Sequence, residues 1–244
     1  MHELRTGEMA RTREIPFIPY YGTIDATPLW LVLVNRYVEN SGDLELARRL
    51  WPNIEAALNY LKANTTNDFL FYGKAADGKQ PALTNQAWKD SGDSVMHEDG
   101  KLATPPIAIC EVQGYLYDAW QSGAKLAEKL GKVEEANSLR ERAKRLKEHF
   151  KKTFWLADQN YVALAIDGSK EPCSVVTSNP GHLLSSGIID QAEAEAIAER
   201  LLKSDMFSGW GIRTLSSKEK AYDPASYHNG SIWPHDNALI AAGL

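Results

Sequence analysis

Residues 105–150 read PPIAICEVQGYLYDAWQSGAKLAEKLGKVEEANSLRERAKRLKEHF, two amphipathic helical patterns separated by a glycine. The first covers residues 105–130 and repeats apolar side chains at spacings of three and four, and Gly131 then ends it. The second covers residues 133–150 and alternates charged residues with one apolar face. Because two such helices joined by a tight turn pack antiparallel, this segment predicts a helical hairpin.

Similar patterns lie on both sides of this hairpin. Helices are predicted over residues 27–39, 44–64, 181–186, 191–203 and 230–244, with Asp43 as the N-cap of the second. Short segments between the helices are candidates for small strands, at residues 69–72, 161–166 and 212–215. Helical hairpins placed side by side either stack as a solenoid or close into a ring. Since no fixed repeat supports a solenoid, an all-α ring is favoured.

The composition is that of an ordinary globular protein, with 244 residues of which 43% are hydrophobic and 24% charged. The 27 Lys and Arg residues against 32 Asp and Glu residues give a formal charge of −5, so nucleic acid is not an expected partner. No apolar run approaches the ~20 residues of a membrane helix, and no signal core follows Met1. We therefore expect a cytoplasmic chain with no membrane partner. The two cysteines, Cys110 and Cys173, are expected to be small buried side chains.

The strongest chemical signal is in residues 84–94, TNQAWKDSGDS, which place Asp90 and Asp93 in a glycine-containing loop after Trp88. A carboxyl group set against an indole loses solvation, so its pKa rises and it can hold a proton near neutral pH. Protonation of a glycosidic oxygen requires such a group. Asp90 is therefore a candidate general acid. The alternative is a solvated turn stabilised by Asx hydrogen bonds.

Two further segments carry tryptophan among small and polar residues. In residues 206–214, MFSGWGIRT, glycines flank Trp210 and would leave its ring open for stacking on a sugar, unless the turn is packed. Residues 227–237, YHNGSIWPHDN, surround Trp233 with planar polar groups suited to sugar hydroxyls. The candidate sugar contacts in this segment are Tyr227, His228, Asn229, Trp233, His235 and Asp236. A metal held by two of its histidines is less favoured, because no third ligand has a recognised spacing.

Three polar residues lie at predicted helix positions. Asp25 precedes an apolar helix and is either its N-cap or a carboxylate that binds hydroxyl groups. Glu111 and Gln113 interrupt the apolar face of the helix predicted over residues 105–130. Polar side chains are costly there unless they meet a ligand or a partner, so both are candidates for substrate binding.

Six strings, taken in order, resemble the catalytic domain of amylo-α-1,6-glucosidase (glycogen-debranching-like) proteins. They are HELR with GE within residues 2–8, YYGTIDATPL at 20–29, WKDSGDS at 88–94, CEVQGY at 110–115, NPGHLL at 179–184 and YHNGSIWPHDN at 227–237. This family is similar to the wider group of inverting glycosidases with an (α/α)6 toroid, which includes mannosylglycerate hydrolases and processing α-glucosidases. The resemblance implies that residues 1–244 are part of one such domain, an incomplete toroid truncated at both ends, with small β-strands in its loops.

The same resemblance implies an inverting glycoside hydrolase that acts on α-linked, glucose-containing oligo- or polysaccharides and needs no cofactor. Asp90 takes the general-acid position. The side chains expected around the reacting sugar are Asp25, Trp88, Glu111, Gln113, Trp210, Tyr227, His228, Asn229, Trp233, His235 and Asp236. The base, a glutamate in a Pro-Glu motif, is expected beyond Leu244. Activity of the chain alone is therefore doubtful, and its oligomeric state is not predicted.

Two other functions stay open. A truncated domain that keeps its aromatic platforms without the base would bind carbohydrate and not cleave it. A sugar epimerase or isomerase on the same helical ring would use two of His182, His228 and His235. That function requires two of these histidines close together and Asp90 remote from them.

Overall fold

The computed structural model describes residues 7–8, 21–73 and 83–244. Within residues 21–73 and 83–244 the chain forms six α-helices, which are α1 Ala26–Ser41, α2 Leu44–Asn64, α3 Cys110–Lys129, α4 Val133–Phe154, α5 Gln191–Leu201 and α6 Pro234–Ala241. A 3₁₀ helix, Asn179–Leu183, precedes α5. None of the helices in these ranges combines the length and the hydropathy needed to cross a bilayer.

Short antiparallel strands connect the helices. They are β1 Thr65–Thr66, β2 Phe69–Leu70, β3 Ala108–Ile109, β4 Trp155–Leu156, β5 Tyr161–Val162, β6 Ala165–Ile166 and β7 Pro172–Cys173. β1 pairs with β2 and β4 with β5, whereas β3, β6 and β7 form a sheet in that order. In this sheet Ala108 is opposite Ile166, and Ala165 is opposite Cys173. The sheet lies immediately before α3 and so fixes where α3 begins.

The helices form an arc with an inner and an outer row. In the inner row α1 packs on α3, α3 on the 3₁₀ helix, and the 3₁₀ helix on α6. α2, α4 and α5 pack behind them. Leu29, Tyr115, His182 and Leu239, one from each inner element, are among the residues that line a small cavity of about 60 Å³. The fold is therefore an all-α, toroid-like arrangement of helical hairpins, as the sequence predicted.

Local sequence features explain how α2 begins and how closely α3 packs on its neighbours. The Asp43 side chain caps α2 by accepting a hydrogen bond from the Leu46 N–H at 2.9 Å, as predicted. α3 is buried on most sides, and Gly123 lets it approach its neighbours closely. A β-carbon at position 123 would lie 2.8 Å from Leu58 Cδ2 and 3.2 Å from Leu139 Cδ1, so only glycine fits without movement.

Several predicted helix boundaries are wrong, because the backbone groups at these positions form hydrogen bonds with residues that are distant in the sequence. α3 begins at Cys110 rather than Pro105, since Ile107 pairs with Tyr72 and β3 pairs with β6. α6 begins at Pro234 rather than Gly230, whose N–H donates to Thr214 Oγ1. The helix predicted at 181–186 is the 3₁₀ helix, and residues 212–215 form only isolated bridges. Both cysteines are free and buried, as expected.

Candidate active site

The four inner elements begin at the same end of the arc. Tyr115 of α3 is hydrogen-bonded to His182 of the 3₁₀ helix, which is hydrogen-bonded to Asp236 in the first turn of α6. Asp25, directly before α1, interacts electrostatically with Tyr115 and His235. Helix N-termini carry free N–H groups and partial positive charge, so this end of the arc suits acidic side chains and polar ligands.

The indole of Trp88 lies at the centre of a group of rings at this end, the Trp88 cluster, formed with His182, His228, Trp233 and His235. Trp88 stacks on His182 with 5.8 Å between ring centroids and an interplanar angle of 18°. His228, Trp233 and His235 meet it edge to face at 5.6, 6.3 and 5.5 Å. The cluster therefore joins the loop that contains Trp88 to the 3₁₀ helix and to the start of α6.

A chain of three buried side chains supports the cluster. His182 Nδ1 is 2.5 Å from Tyr115 Oη, and His182 Nε2 is 2.7 Å from Asp236 Oδ1. Since a carboxylate can only accept, we assign the proton to Nε2, so that Nδ1 accepts from the Tyr115 hydroxyl. Burial raises the pKa of Tyr115 well above its usual value, which keeps this hydroxyl a donor. Both ring nitrogens of His182 are thus committed to protein partners.

Two oppositely charged side chains, Lys89 and Glu111, lie fully buried beneath the cluster. Lys89 Nζ donates to Thr214 O at 2.7 Å. Burial lowers the pKa of Lys89 to about 8, and the carboxylates of Asp236 and Glu111 oppose this shift. Burial also raises the pKa of Glu111. Water therefore does not screen the electrostatic interactions in this buried centre.

Asp90 lies in the same loop as Trp88, and its side chain is half-buried. Hydrogen bonds inside the loop fix its shape, because Asn85 Nδ2 donates to Ser91 O at 2.7 Å and Ser94 Oγ donates to Lys89 O at 2.6 Å. The loop is therefore stabilised by its own internal hydrogen bonds and differs from the solvated turn of the alternative interpretation.

His228 is the imidazole next to Asp90. Its Nδ1 lies 2.8 Å from Ser91 Oγ. Burial lowers the pKa of His228 to about 4, with Lys89 adding to this and Asp90 opposing it. His228 is therefore neutral near neutral pH, and it places no positive charge beside the Asp90 carboxyl group.

Asp25 does not cap α1 with its side chain, although it occupies the N-cap position. Its Oδ1 instead accepts a hydrogen bond from Thr23 Oγ1 at 2.5 Å. The neighbouring Ile24 N–H donates to Gln86 O at 2.8 Å, which ties the start of α1 to the Asp90 loop. Of the two alternatives left open for this residue, the structure favours a half-buried carboxylate near the cluster over a helix cap.

Tyr227 and Trp233 extend the cluster to the surface. Trp233 Nε1 donates to Tyr227 O at 2.7 Å, and the Tyr227 ring lies 4.7 Å from those of both Trp233 and His228. Tyr227 is 64% exposed, so its ring is open to a ligand. Asn229 Nδ2 donates to Asp93 O at 3.2 Å and holds this segment against the Asp90 loop.

Two predicted substrate contacts lie elsewhere. Trp210 is 95% exposed at the tip of a turn and makes no ring contact with the described residues, so it is neither packed nor part of the cluster. Gln113 is corrected to a structural residue, because its side chain is used by backbone groups. Its Oε1 accepts from Leu70 N–H at 2.9 Å, and its Nε2 donates to Leu70 O and Ile109 O, each at 3.0 Å.

Sequence reasoning missed Lys89 and Tyr115, and considered His182 only as a possible base. The available signals were slight: Lys89 is the one residue between Trp88 and Asp90, and Tyr115 lies one helical turn after Glu111. Within the ranges that the structure describes, no three metal-ligating side chains converge on one point.

Comparisons with known proteins show the family and the fold of the chain. The family model of the mannosylglycerate hydrolase MGH1-like glycoside hydrolase domain matches residues 17–244. The chain belongs to this family. The predicted resemblance to the group of glycoside hydrolases that includes mannosylglycerate hydrolases is therefore confirmed. None of the curated proteins compared with the chain matches it.

Solved structures of this fold are similar to the chain at low sequence identity. An uncharacterized conserved protein from Thermus thermophilus has a TM-score of 0.69 and 16% identity, over 94% of this chain and 66% of that one. The GH63 mannosylglycerate hydrolase from the same organism, in complex with Tris and D-glycerate, has a TM-score of 0.67 and 16% identity, over 96% and 69%. A sialidase has a TM-score of 0.60 and 14% identity, over 82% of this chain and 17% of its own. The chain thus spans between a sixth and about two thirds of these proteins, and the likeness shows the fold.

Proposed function

We propose that this chain carries the acid half of an inverting glycoside hydrolase, in which Asp90 protonates the departing glycosidic oxygen. One observation carries the proposal: a half-buried carboxyl group follows Trp88 in a braced loop, where the inner helices of a glycosidase-family domain begin. The carboxyl group of a general acid must be held in place by the protein and must also be accessible to the substrate. The neutral His228 beside Asp90 suits this role, because a cation there would favour the ionised carboxylate.

The substrate we propose is an α-linked glycoside. The exposed ring of Tyr227 and the half-buried rings of Trp88 and Trp233 offer apolar faces for a sugar ring. The half-buried Asp25 carboxylate is a candidate acceptor for sugar hydroxyls. Since the family and the Thermus enzyme are named for mannosylglycerate, an α-mannoside of that kind is the first substrate to test. The α-1,6-linked glucose oligosaccharides implied by the sequence resemblance are the second.

An inverting mechanism also needs a carboxylate that activates water, about 6.5–9.5 Å from the acid. Glu111 and Asp236 do not suit this role, because both are sealed from solvent. We therefore propose that the base is a glutamate beyond Leu244, as the resemblance implies. On this proposal the isolated chain binds sugar and does not cleave it, which is the carbohydrate-binding alternative.

The histidines argue against an epimerase or isomerase, although one of its conditions is met. The ring centroids of His182 and His235 are 6.1 Å apart. His182, however, uses both nitrogens on Tyr115 and Asp236, so it has none free to take a proton from a sugar. Asp90 also interacts with His228 of the same cluster, so it is not remote.

The test compares this chain with a version extended past Leu244, each offered mannosylglycerate and an α-1,6-branched glucose oligosaccharide. We expect product only from the extended version, released as the inverted β-anomer in ¹H NMR spectra. Asp90→Asn in the extended version should lower the rate by about 10²–10⁴-fold. The matched control Asp93→Asn, in the same loop, should have a much smaller effect. Undiminished cleavage by Asp90→Asn would overturn the proposal.

A further inference from the structure

The lysine between Trp88 and Asp90 is buried without a paired carboxylate. Lys89 is only 1% exposed, and its one hydrogen bond to a described residue is donated to Thr214 O at 2.7 Å. Its Nζ also lies 5.1 Å from the centroid of the Trp88 ring, but among the described residues it forms no direct ion pair. Burying an ammonium group in this way is costly, so these contacts must offset its loss of solvation.

The buried ammonium connects elements that are far apart in sequence. It interacts electrostatically with Glu111 in the first turn of α3 and with Asp236 in the first turn of α6. Its acceptor Thr214 is braced in turn, because the Thr214 N–H donates to Ser231 O at 2.9 Å and Thr214 Oγ1 accepts from the Gly230 N–H at 2.9 Å. Lys89 therefore attaches the Asp90 loop to two inner helices and to the segment before α6.

Position 89 is also held through its backbone. Ser94 Oγ donates to Lys89 O at 2.6 Å and to Ser91 O at 2.9 Å. With both ends of Lys89 fixed, the chain direction at the next residue is fixed as well. The side chains of Trp88 and Lys89 lie in the cluster and in the buried centre, and the side chain of Asp90 is half-buried.

We propose that Lys89 is a positioning residue, whose ammonium group, anchored on Thr214 and facing the carboxylates of Glu111 and Asp236, aims the adjacent Asp90 at the glycosidic oxygen. This inference rests on the proposed role of Asp90 as the acid. It gives the unassigned residue between Trp88 and Asp90 a role in the reaction, without any contact between Lys89 and substrate.

The first experiment needs no catalysis. In Lys89→Met, the imidazole of His228 should titrate at higher pH than in the unmodified chain, because a cation that lowers its pKa has been removed. Two-dimensional ¹H–¹⁵N NMR of the histidines measures this. The control Lys101→Met removes a lysine whose side chain is 83% exposed, and it should leave His228 unchanged. An unchanged His228 titration in Lys89→Met would contradict the buried placement of the ammonium group.

The second experiment measures kcat and KM in the extended enzyme. Lys89→Met should lower kcat by about 100-fold with little change in KM, since a misdirected acid affects the transition state more than binding. The double variant Lys89→Met/Glu111→Gln removes one positive and one negative charge. It is measured in place of Lys89→Met if that single variant does not fold. A positioning role predicts that the double variant folds and still has a far lower kcat than Glu111→Gln alone.

Equal kcat values for the folded double variant and Glu111→Gln would overturn the inference, because Lys89 would then only balance buried charge. Failure of the proposed function has a different signature. In that case Asp90→Asn would keep its activity, whereas the His228 shift in Lys89→Met would still be observed.

Discussion

Two loops of this protein present a tryptophan beside glycine and polar residues, and the fold treats them in opposite ways. Trp88 contacts four other rings and lies over a buried charged centre. Trp210 is 95% exposed at the tip of its turn. From their sequences both were predicted to line a sugar subsite, and either could have been a packed or solvated turn.

The difference lies in what surrounds each tryptophan ring. Both loops are attached to distant elements, the Trp88 loop through the Lys89 ammonium group and the Ile24–Gln86 backbone hydrogen bond, and the Trp210 turn through Asn237 of α6. Asn237 Oδ1 accepts from the Ile212 N–H at 2.7 Å, and Asn237 Nδ2 donates to Ile212 O at 3.0 Å. An anchored turn can still display an open aromatic ring, but a fixed reacting geometry needs neighbours that hold the side chains themselves.

The largest expected effect comes from removing the support beneath Trp88. Asp236→Ala should lower the free energy of unfolding by about 3–5 kcal/mol, because it leaves His182 Nε2 without its acceptor and the buried Lys89 with less compensating charge. Urea denaturation measures this. The side chain of the exposed Asp223 accepts one hydrogen bond from a described residue, the Ala225 N–H, so Asp223→Ala should change stability by about 0.5 kcal/mol at most. Similar losses in the two variants would mean that the buried chain does not support the site.

Removing the Trp88 ring itself should have the next largest effect. Trp88→Ala should cost about 2 kcal/mol of stability, less than a fully buried tryptophan, because the side chain is half-buried. It should also abolish detectable binding of mannosylglycerate in calorimetric titrations. Trp88→Phe keeps a ring over His182 and should retain part of both properties. Full binding by Trp88→Ala would place the sugar outside the cluster.

The features that the sequence predicted are those set by near neighbours. α2 with its Asp43 cap and the α3–α4 hairpin follow from spacings of three and four residues and from one capping carboxylate. The start of α3 could not be predicted, because Ala108 and Ile109 pair with residues 165–166, far along the chain. A helical pattern contains no information about such pairing.

The same distinction between features set by near neighbours and features set by distant residues applies to the candidate site. The residue types of the Asp90 loop predicted a general acid, which stays a prediction, and the structure places this loop at the Trp88 cluster. The burial of Lys89 could not be predicted, because Thr214, Glu111 and Asp236 meet it only after folding. Gln113 was misassigned for a related reason: a buried amide can be satisfied by strand backbone as well as by a ligand.

A smaller effect is expected in the pH dependence of stability, and it arises from His228 of the Trp88 cluster. The pKa of His228 is about 4 in the folded protein against an ordinary value of 6.5, so the unfolded chain binds this proton more strongly. The stability that neutral His228 provides is therefore present above about pH 6.5 and is lost as the pH falls towards 4. His228→Gln should therefore reduce the fall of Tm over this window relative to the unmodified protein. Equal slopes in the two proteins would contradict the assignment.

The smallest expected effect on stability is at Trp210. Trp210→Ala should change the free energy of unfolding by about 0.5 kcal/mol at most, because the side chain buries almost no surface. If the open ring is an outer sugar platform, its loss should weaken binding of a long α-glucan by about 2–10-fold, the value of one aromatic contact. Binding of mannosylglycerate, which is small enough to occupy the Trp88 cluster alone, should not change. Equal weakening for both ligands would mean that Trp210 belongs to the reacting subsite after all, and that the two tryptophans differ in exposure but not in function.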